Sequence, residues 1–250
     1  MRQYGILVMA VLLCAACGRQ APDPIATAPA QVVQPVVHPP VAPVAPVKIA
    51  TPEEWKQSLE GLYQISSVHD KGNGVSDFFA NFGKSDGSAV YAFGSRDAFR
   101  KLRFYTPGIQ STLNVLPYVN TYISVPDNKM PNFFLEPYFF GKNGWLFMSH
   151  VAVMVDGELV IDRDFKDAKV ERHADTYGVE ERYNFIANQQ ELDGLKKISK
   201  TSKVIVRLTG SKGYITVQPK LANEFRDEII SAMVIYERMT ATLAGHLPPE

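Results

Sequence analysis

Cysteine is nearly absent from this chain of 250 residues, which contains only Cys14 and Cys17. Both lie at the N-terminus, so residues 18–250 contain no thiol. This excludes disulfides, catalytic thiolates and thiolate-ligated zinc or iron–sulfur sites within that part of the chain. A protein without free thiols suits an oxidising compartment.

An excess of positive charge is also absent. The chain has 26 Lys and Arg residues against 26 Asp and Glu residues, so its formal net charge is zero. Proteins that bind nucleic acids through electrostatic attraction normally carry a net basic surface. We therefore expect no nucleic-acid partner.

The N-terminus has the features of an export signal. Arg2 and the free amino terminus supply positive charge, and Gly5–Cys17 form a run of apolar or small residues. A helix needs about twenty apolar residues to cross a bilayer, so this run is too short to be a membrane span. We expect the leader to direct export and then to be removed.

Small residues end this run, in the sequence Leu-Cys-Ala-Ala-Cys-Gly at residues 13–18. Ala15–Cys17 resemble the lipobox of bacterial lipoproteins, in which small residues precede a cysteine that is lipidated and becomes the first residue of the mature protein. Cys14 occupies the position at which that pattern usually has leucine. The resemblance covers the leader alone.

This resemblance implies a signal peptide over residues 1–16 and a lipid anchor, palmitate included, on Cys17. The residue after this cysteine is Gly18 and not aspartate. This further implies the outer membrane of a Gram-negative cell, with the protein facing the periplasm. Two or more acyl chains hold a protein stably at a membrane, whereas one chain binds only marginally. The membrane is therefore the expected partner of this end of the chain.

Residues 17–50 have the composition of a tether. Eight prolines fall between Pro22 and Pro46, among alanines and valines, and no aromatic residue occurs there. Proline removes backbone donors and favours the extended polyproline II conformation. At roughly 3.1 Å per residue, such a spacer holds a domain on the order of 80 Å from its anchor.

Residues 51–250 form one globular domain, for which we predict an α+β fold: an antiparallel meander sheet with a long C-terminal helix packed on one face. Thr51–Glu54 are typical of a capped helix start and predict a short helix to about Leu59. The long C-terminal helix is predicted from Pro219. The apolar stripe of that C-terminal helix comprises Leu221, Phe225, Ile229, Ala232, Met233, Tyr236 and Leu243.

Three strands of the meander are predicted at Phe133–Phe140, Trp145–Val155 and Leu159–Phe165. The connection Asp156-Gly157 is a strong hairpin signal. Because Trp145–Val155 is apolar on both alternating sets of side chains, we expect it at the centre of the sheet with both faces covered. Further strands are predicted at Val179–Ile186, Val204–Leu208 and Tyr214–Val217, with a short helix at Gln190–Lys200.

The motifs of familiar enzymes and metal proteins give no support for a catalytic or metal site. The chain contains no HExxH, no EF-hand loop and no P-loop, and residues 18–250 contain no CxxC. The spacing GxSxG occurs at residues 83–87, in a region of predicted strands and loops and not at the strand-to-helix turn that a nucleophile elbow requires. We therefore assign no catalytic residue, no metal ligand and no cofactor. His69 beside Asp70, and His173 two residues before Asp175, are surface histidines in polar segments, although each pair has the residue types of an oriented base.

Two residues in apolar strands attract more attention. His150 lies within Trp145–Val155, where it is either a hydrogen-bonded core histidine or a base. Arg207 interrupts an apolar run, and a buried guanidinium requires a carboxylate partner, for which Glu180 or Glu181 is available. Arg207, Glu181 and His150 are therefore the candidate ligand-binding residues, as an alternative to a purely structural ion pair.

Two functions remain open from the sequence. The favoured one is a non-catalytic binding module on a lipid tether, which takes an envelope protein, cell-wall material or a small ligand. The aromatic segment Phe133–Phe140, interpreted mainly as core, is also able to contact lipid or to stack on saccharides. The alternative is an envelope hydrolase whose histidine and carboxylate residues assemble only in the fold.

Overall fold

The computed structural model describes residues 50–246, apart from 84–88, 108–115 and 167–168. The expectations for the signal peptide, for Cys17 and for nearly all of the tether therefore lie outside the described residues. In chain order the elements are α1 (Pro52–Glu60), β1 (Gln64–Gly72), β2 (Val75–Gly83), β3 (Ala89–Asp97), β4 (Leu102–Pro107), β5 (Tyr118–Pro126), β6 (Asn132–Gly141), β7 (Met148–Val155), β8 (Glu158–Asp164), β9 (Glu171–Ala174), β10 (Val179–Arg182), β11 (Phe185–Ile186), α2 (Gln189–Leu195), β12 (Val204–Gly210), β13 (Gly213–Thr216) and α3 (Pro219–Leu243).

The strands form two antiparallel sheets. The large sheet has the order β1-β2-β3-β4-β5-β6-β10-β9, with β11 also paired to β6, and the small sheet has the order β13-β12-β7-β8. Strands β1 to β6 follow one another in chain order and make a meander. The predicted α+β class, with a meander sheet and a long C-terminal helix on it, is confirmed.

Helix α3 covers the inner face of the large sheet, because its apolar stripe needs an apolar partner. The stripe is buried at Phe225, Ile229 and Leu243, and the Tyr236 ring packs edge-on against Phe133 of β6, with 5.5 Å between ring centroids. Helix α3 also contacts β12 of the small sheet. It therefore closes a core that both sheets share.

Helix α1 begins as the sequence predicts. The Thr51 side chain accepts a hydrogen bond from the backbone of Glu54, and the Glu54 carboxylate accepts one from the backbone of Thr51. These bonds satisfy two backbone donors that a helix start otherwise leaves free. Trp55 and Leu59 on this helix are buried in the core.

The predicted three-strand meander at residues 133–165 is wrong in one respect. Strands β7 and β8 form the expected hairpin, with Asp156 and Gly157 at positive φ in its turn. Strand β6, however, belongs to the large sheet and does not pair with β7. Residues 142–147 therefore carry the chain from one sheet to the other.

The expectation that Trp145–Val155 is covered on both faces is also wrong. Strand β7 begins only at Met148 and is internal to the small sheet, but it buries one face, formed by Val151, Val153 and Val155. On the other face Met154 is 38% exposed. Small and apolar side chains on the open face conceal the alternation that marks a one-sided strand.

Candidate functional site

Glu181 joins the two sheets. Its side chain is fully buried on β10, where its carboxylate accepts hydrogen bonds from the backbone N–H groups of Leu146, Phe147 and Met148 at 2.7, 2.8 and 2.7 Å. The Arg172 Nε atom donates to the same carboxylate at 3.3 Å. These donors occupy both oxygens, so Glu181 holds the crossing segment in place.

The crossing segment carries backbone strain at this point. Phe147 has φ = 53°, in the left-handed region that bulky residues rarely adopt. This conformation turns three consecutive N–H groups toward Glu181 and leaves the Phe147 ring 40% exposed. Gly210 is required beside it, because a Cβ there would lie 2.3 Å from the Leu146 carbonyl oxygen.

Arg207 is not the buried cation that the sequence suggests. It lies exposed on the outer face of β12, with its guanidinium 4.6 Å from the centroid of the Tyr214 ring. The predicted ion pair between Arg207 and Glu180 or Glu181 is wrong, because Glu181 pairs with Arg172 and Glu180 with Arg182. Valine and leucine side chains fill the inner face of β12. Because successive side chains of a strand point to opposite faces, Arg207 lies on the outer face.

His150 lies on that same outer face of the small sheet. It is half-buried, and its Nε2 atom is 2.7 Å from Oδ1 of Asp162 on β8. The interpretation of His150 as a core histidine is therefore wrong, although its hydrogen bond is present. The structure places Arg207 and His150 on one face and Glu181 elsewhere.

The other two histidine–aspartate pairs do not form oriented bases. His69 on β1 and His173 on β9 are both exposed. Asp70 accepts a hydrogen bond from the backbone of Gly72, and Asp175 accepts bonds from the backbone of residues 177 and 178. Each aspartate therefore stabilises its own turn.

The outer face of the large sheet, opposite α3, carries a group of aromatic side chains that we call the aromatic face. It consists of Phe79, Tyr91, Phe93, Phe104, Tyr122 and Phe134. The rings of Tyr122 and Phe134 are stacked at 4.7 Å, and those of Phe79 and Phe93 meet edge to face at 5.8 Å. Tyr91, Phe79 and Phe93 are 54%, 47% and 42% exposed.

A polar cluster borders the aromatic face on β5, β6 and β10. The Tyr122 hydroxyl donates to Oδ1 of Asn184 at 3.1 Å, and burial raises the pKa of Tyr122 to about 12. Burial also raises the pKa of Glu136, against the opposing effect of the Arg182 guanidinium. A ligand on this surface would meet both ring edges and hydrogen-bonding groups.

Strand β1 is an open edge of the large sheet beside the aromatic face. All nine of its residues are exposed, and its apolar side chains Ile65 and Val68 are 50% and 64% exposed. An edge strand presents unpaired backbone donors and acceptors to any extended chain that approaches it. Two register shifts in its pairing with β2 interrupt that edge.

Sequence reasoning missed the aromatic face. It interpreted Phe133–Phe140 mainly as core, which is correct for Phe133, Leu135 and Phe139 but not for the half-exposed Phe134. The available signal was the spacing of two between Tyr91 and Phe93, which places both rings on one face of a strand.

Membrane-spanning helices and metal sites are not found in the described part of the chain. None of its helices is long and apolar enough to cross a bilayer. Nor does any group of three or more His, Cys, Asp or Glu side chains among residues 50–246, with the gaps given above, stand close enough to hold a metal ion. Comparison with protein-family models, with curated proteins and with solved structures gives no match.

Proposed function

We propose that this chain is a lipid-anchored protein of the bacterial cell envelope, whose folded domain binds a protein partner without catalysing a reaction. The leader, Cys17 and the proline-rich tether support the anchored location. The aromatic face supports the binding role, since exposed aromatic clusters of this kind mark interaction sites.

The partner that fits the aromatic face best is a polypeptide. The rings are exposed on β2 and β3 and half-buried on β4 to β6. Because neighbouring strands lie about 4.8 Å apart, the surface that they form extends over roughly 20 Å. Tyrosine and phenylalanine are enriched in protein interfaces, whereas small-molecule sites are concave. The adjacent edge of β1 offers backbone hydrogen bonds to an extended segment of the partner.

In-cell photo-crosslinking tests this proposal. A photoreactive residue at position 91 should capture one defined envelope protein, and the double substitution Phe79→Ser, Phe93→Ser should abolish the crosslink. The matched control is Phe99→Ser with Tyr177→Ser, which removes two rings that are 85% and 80% exposed outside the aromatic face. Capture that survives the first double substitution would contradict the proposal, and capture of a second copy would show self-association.

A hydrolase is the second candidate, and the hydrogen bond between His150 and Asp162 favours it. A carboxylate that holds an imidazole is a common arrangement of a general base. Asp162 is 62% exposed, however, so water competes for this contact. If the pair is catalytic, His150→Gln should abolish hydrolysis of p-nitrophenyl acetate, and if the domain only binds, the variant and the parent should show the same background rate.

A further inference from the structure

A cavity of about 580 Å³ opens beside the crossing segment, outside the aromatic face. Its volume is within the range of small-molecule sites. The side chains that define its character are Phe140, Lys142, Trp145, Phe147, Lys212 and Ile215. One wall is thus aromatic and aliphatic, and the cations are at positions 142 and 212.

The charge of this cavity has one sign. None of the described residues that line it is acidic, whereas both lysines are exposed to solvent. Glu180 and Glu181 lie opposite the cavity residues Phe140 and Phe139 in the pairing of β10 with β6. Their carboxylates pair with Arg182 and Arg172. An apolar surface with two cations at its rim complements a molecule with an apolar body and a negative head group.

The wall is held in its shape before any ligand arrives. Glu181 fixes the backbone of residues 146–148 from the side of the large sheet. The backbone N–H groups of Ser211 and Lys212 bond to the carbonyl oxygens of Phe147 and Leu146, both at 3.3 Å, from the side of the small sheet. Preorganisation of this kind lowers the entropic cost of binding.

Phe147 is the feature that distinguishes this cavity from an accidental groove. Its left-handed backbone costs energy, and the ring so positioned remains 40% exposed at the cavity wall. The same conformation directs the Phe147 N–H group to Glu181, and the Arg172 guanidinium lies 5.7 Å from the centroid of the ring. The exposed part of the ring provides a surface against which an acyl chain or another apolar body can pack.

We propose that this cavity binds a single anionic amphiphile, whose apolar tail lies against Trp145 and Phe147 and whose head group lies at Lys142 and Lys212. The site is separate from the protein-binding surface proposed above. Its occupant is one molecule of a fatty-acid-like anion, not the surface of a bilayer.

Photo-labelling of the full chain in dodecyl maltoside tests this inference, because that detergent supplies the same tail with a neutral head. The probe is dodecanoate with a diazirine in its tail, and the matched probe is dodecylamine with the same diazirine. Dodecanoate should label residues 139–147 and 212–215 at least about tenfold more than the amine, because each of two cations at contact distance attracts the carboxylate and repels the ammonium group, and salt screens only part of this difference. Equal labelling by the two probes would overturn the proposal.

Charge variants assign the preference to the two lysines. The double substitution Lys142→Glu, Lys212→Glu should make dodecylamine label the cavity more than dodecanoate does. The double substitution Lys142→Gln, Lys212→Gln adds no negative charge and should make the two probes label the cavity equally. Lys56→Glu with Lys200→Glu, exposed positions outside the cavity, should leave the preference unchanged. Unaltered labelling in the Glu and Gln variants of Lys142 and Lys212 would contradict the site. Excess dodecanoate should abolish labelling, whereas labelling removed only by anionic vesicles would show a membrane-surface contact and overturn it.

Discussion

Glu228 on α3 is half-buried, and its carboxyl group packs against β5. Its Oε1 atom accepts a hydrogen bond from the backbone N–H of Thr121 at 2.9 Å. Burial raises the pKa of Glu228 to about 8, and the Thr121 bond opposes this shift. The folded protein therefore holds a proton at this position over a pH range in which the unfolded chain has already lost it.

The free energy of unfolding should consequently fall as the pH rises from 4.5 to about 8, by up to about 1.4 kcal/mol per unit. Glu228→Gln should remove this dependence and stabilise the protein most above pH 8. Urea unfolding at pH 5, 7 and 9 measures the effect. Glu237→Gln, at an exposed position of the same helix, should keep the slope of the parent, and a parent without any such slope would contradict the assignment.

The carboxylate of Glu181 offers a second test at the residue scale. Glu181→Ala removes the acceptor of three backbone N–H groups, two of them on the buried residues Leu146 and Met148, and the ion-pair partner of Arg172. This should cost roughly 3–5 kcal/mol in the free energy of unfolding. Glu158→Ala, at an exposed carboxylate whose ion-pair partner Lys197 is 3.8 Å away, should cost less than about 1 kcal/mol. Similar losses in both variants, measured by urea unfolding, would show that Glu181 does not hold the crossing segment.

Single charged residues in apolar strands were the least predictable features. Arg207 and His150 both look buried in the sequence, because the segments around them are mainly apolar. The structure places them on the open face of the small sheet, since valines and leucines on the other face already fill the core. Burial depends on which of two alternating sets faces the core, and an apolar run leaves that choice undetermined.

At the scale of elements, the sequence predicted well the features that depend on neighbouring residues, and it predicted poorly which strands pair with one another. The capping box of α1, the stripe of α3 and the Asp156-Gly157 turn depend on neighbouring residues, and all three are confirmed. The pairing of β6 with β10 depends instead on a strand that is distant in the sequence. The glycines between β6 and β7 resemble a hairpin, although the chain there changes sheets.

Gly210 tests the packing of β12 against the crossing segment. Gly210→Ala would place a Cβ 2.3 and 2.5 Å from the backbone oxygens of Leu146 and Phe147. We expect a loss of roughly 1–3 kcal/mol in the free energy of unfolding. Gly83→Ala, at the end of β2 where a Cβ has nothing within 4 Å, should change stability little. Equal thermal unfolding of both variants would contradict the close contact.

At the scale of the whole molecule, the sequence predicts most for the residues that the structure does not describe. The proposed leader and tether are predicted from composition and short motifs alone, and they stay predictions. The aromatic face required the fold, because its rings come from strands that only sheet topology brings together. A candidate binding surface built from five strands has no compact signature in the sequence.

The proposed anchor predicts the behaviour of the entire chain. Cys17→Ala should abolish labelling with radioactive palmitate and move the protein from the detergent phase to the aqueous phase in phase partitioning. Cys14→Ala is the matched control and should change neither result. Unchanged membrane retention in the Cys17 variant would contradict the anchor.

Helix α3 is the last regular element among the described residues and contacts both the large sheet and β12. Because this helix follows every described strand in the sequence, the apolar side chains that it covers on β5 and β12 stay exposed until it docks. The shared core is therefore completed only after all of these strands have been synthesised. In an exported chain, as proposed above, this late docking would keep the polypeptide unfolded for threading across a membrane.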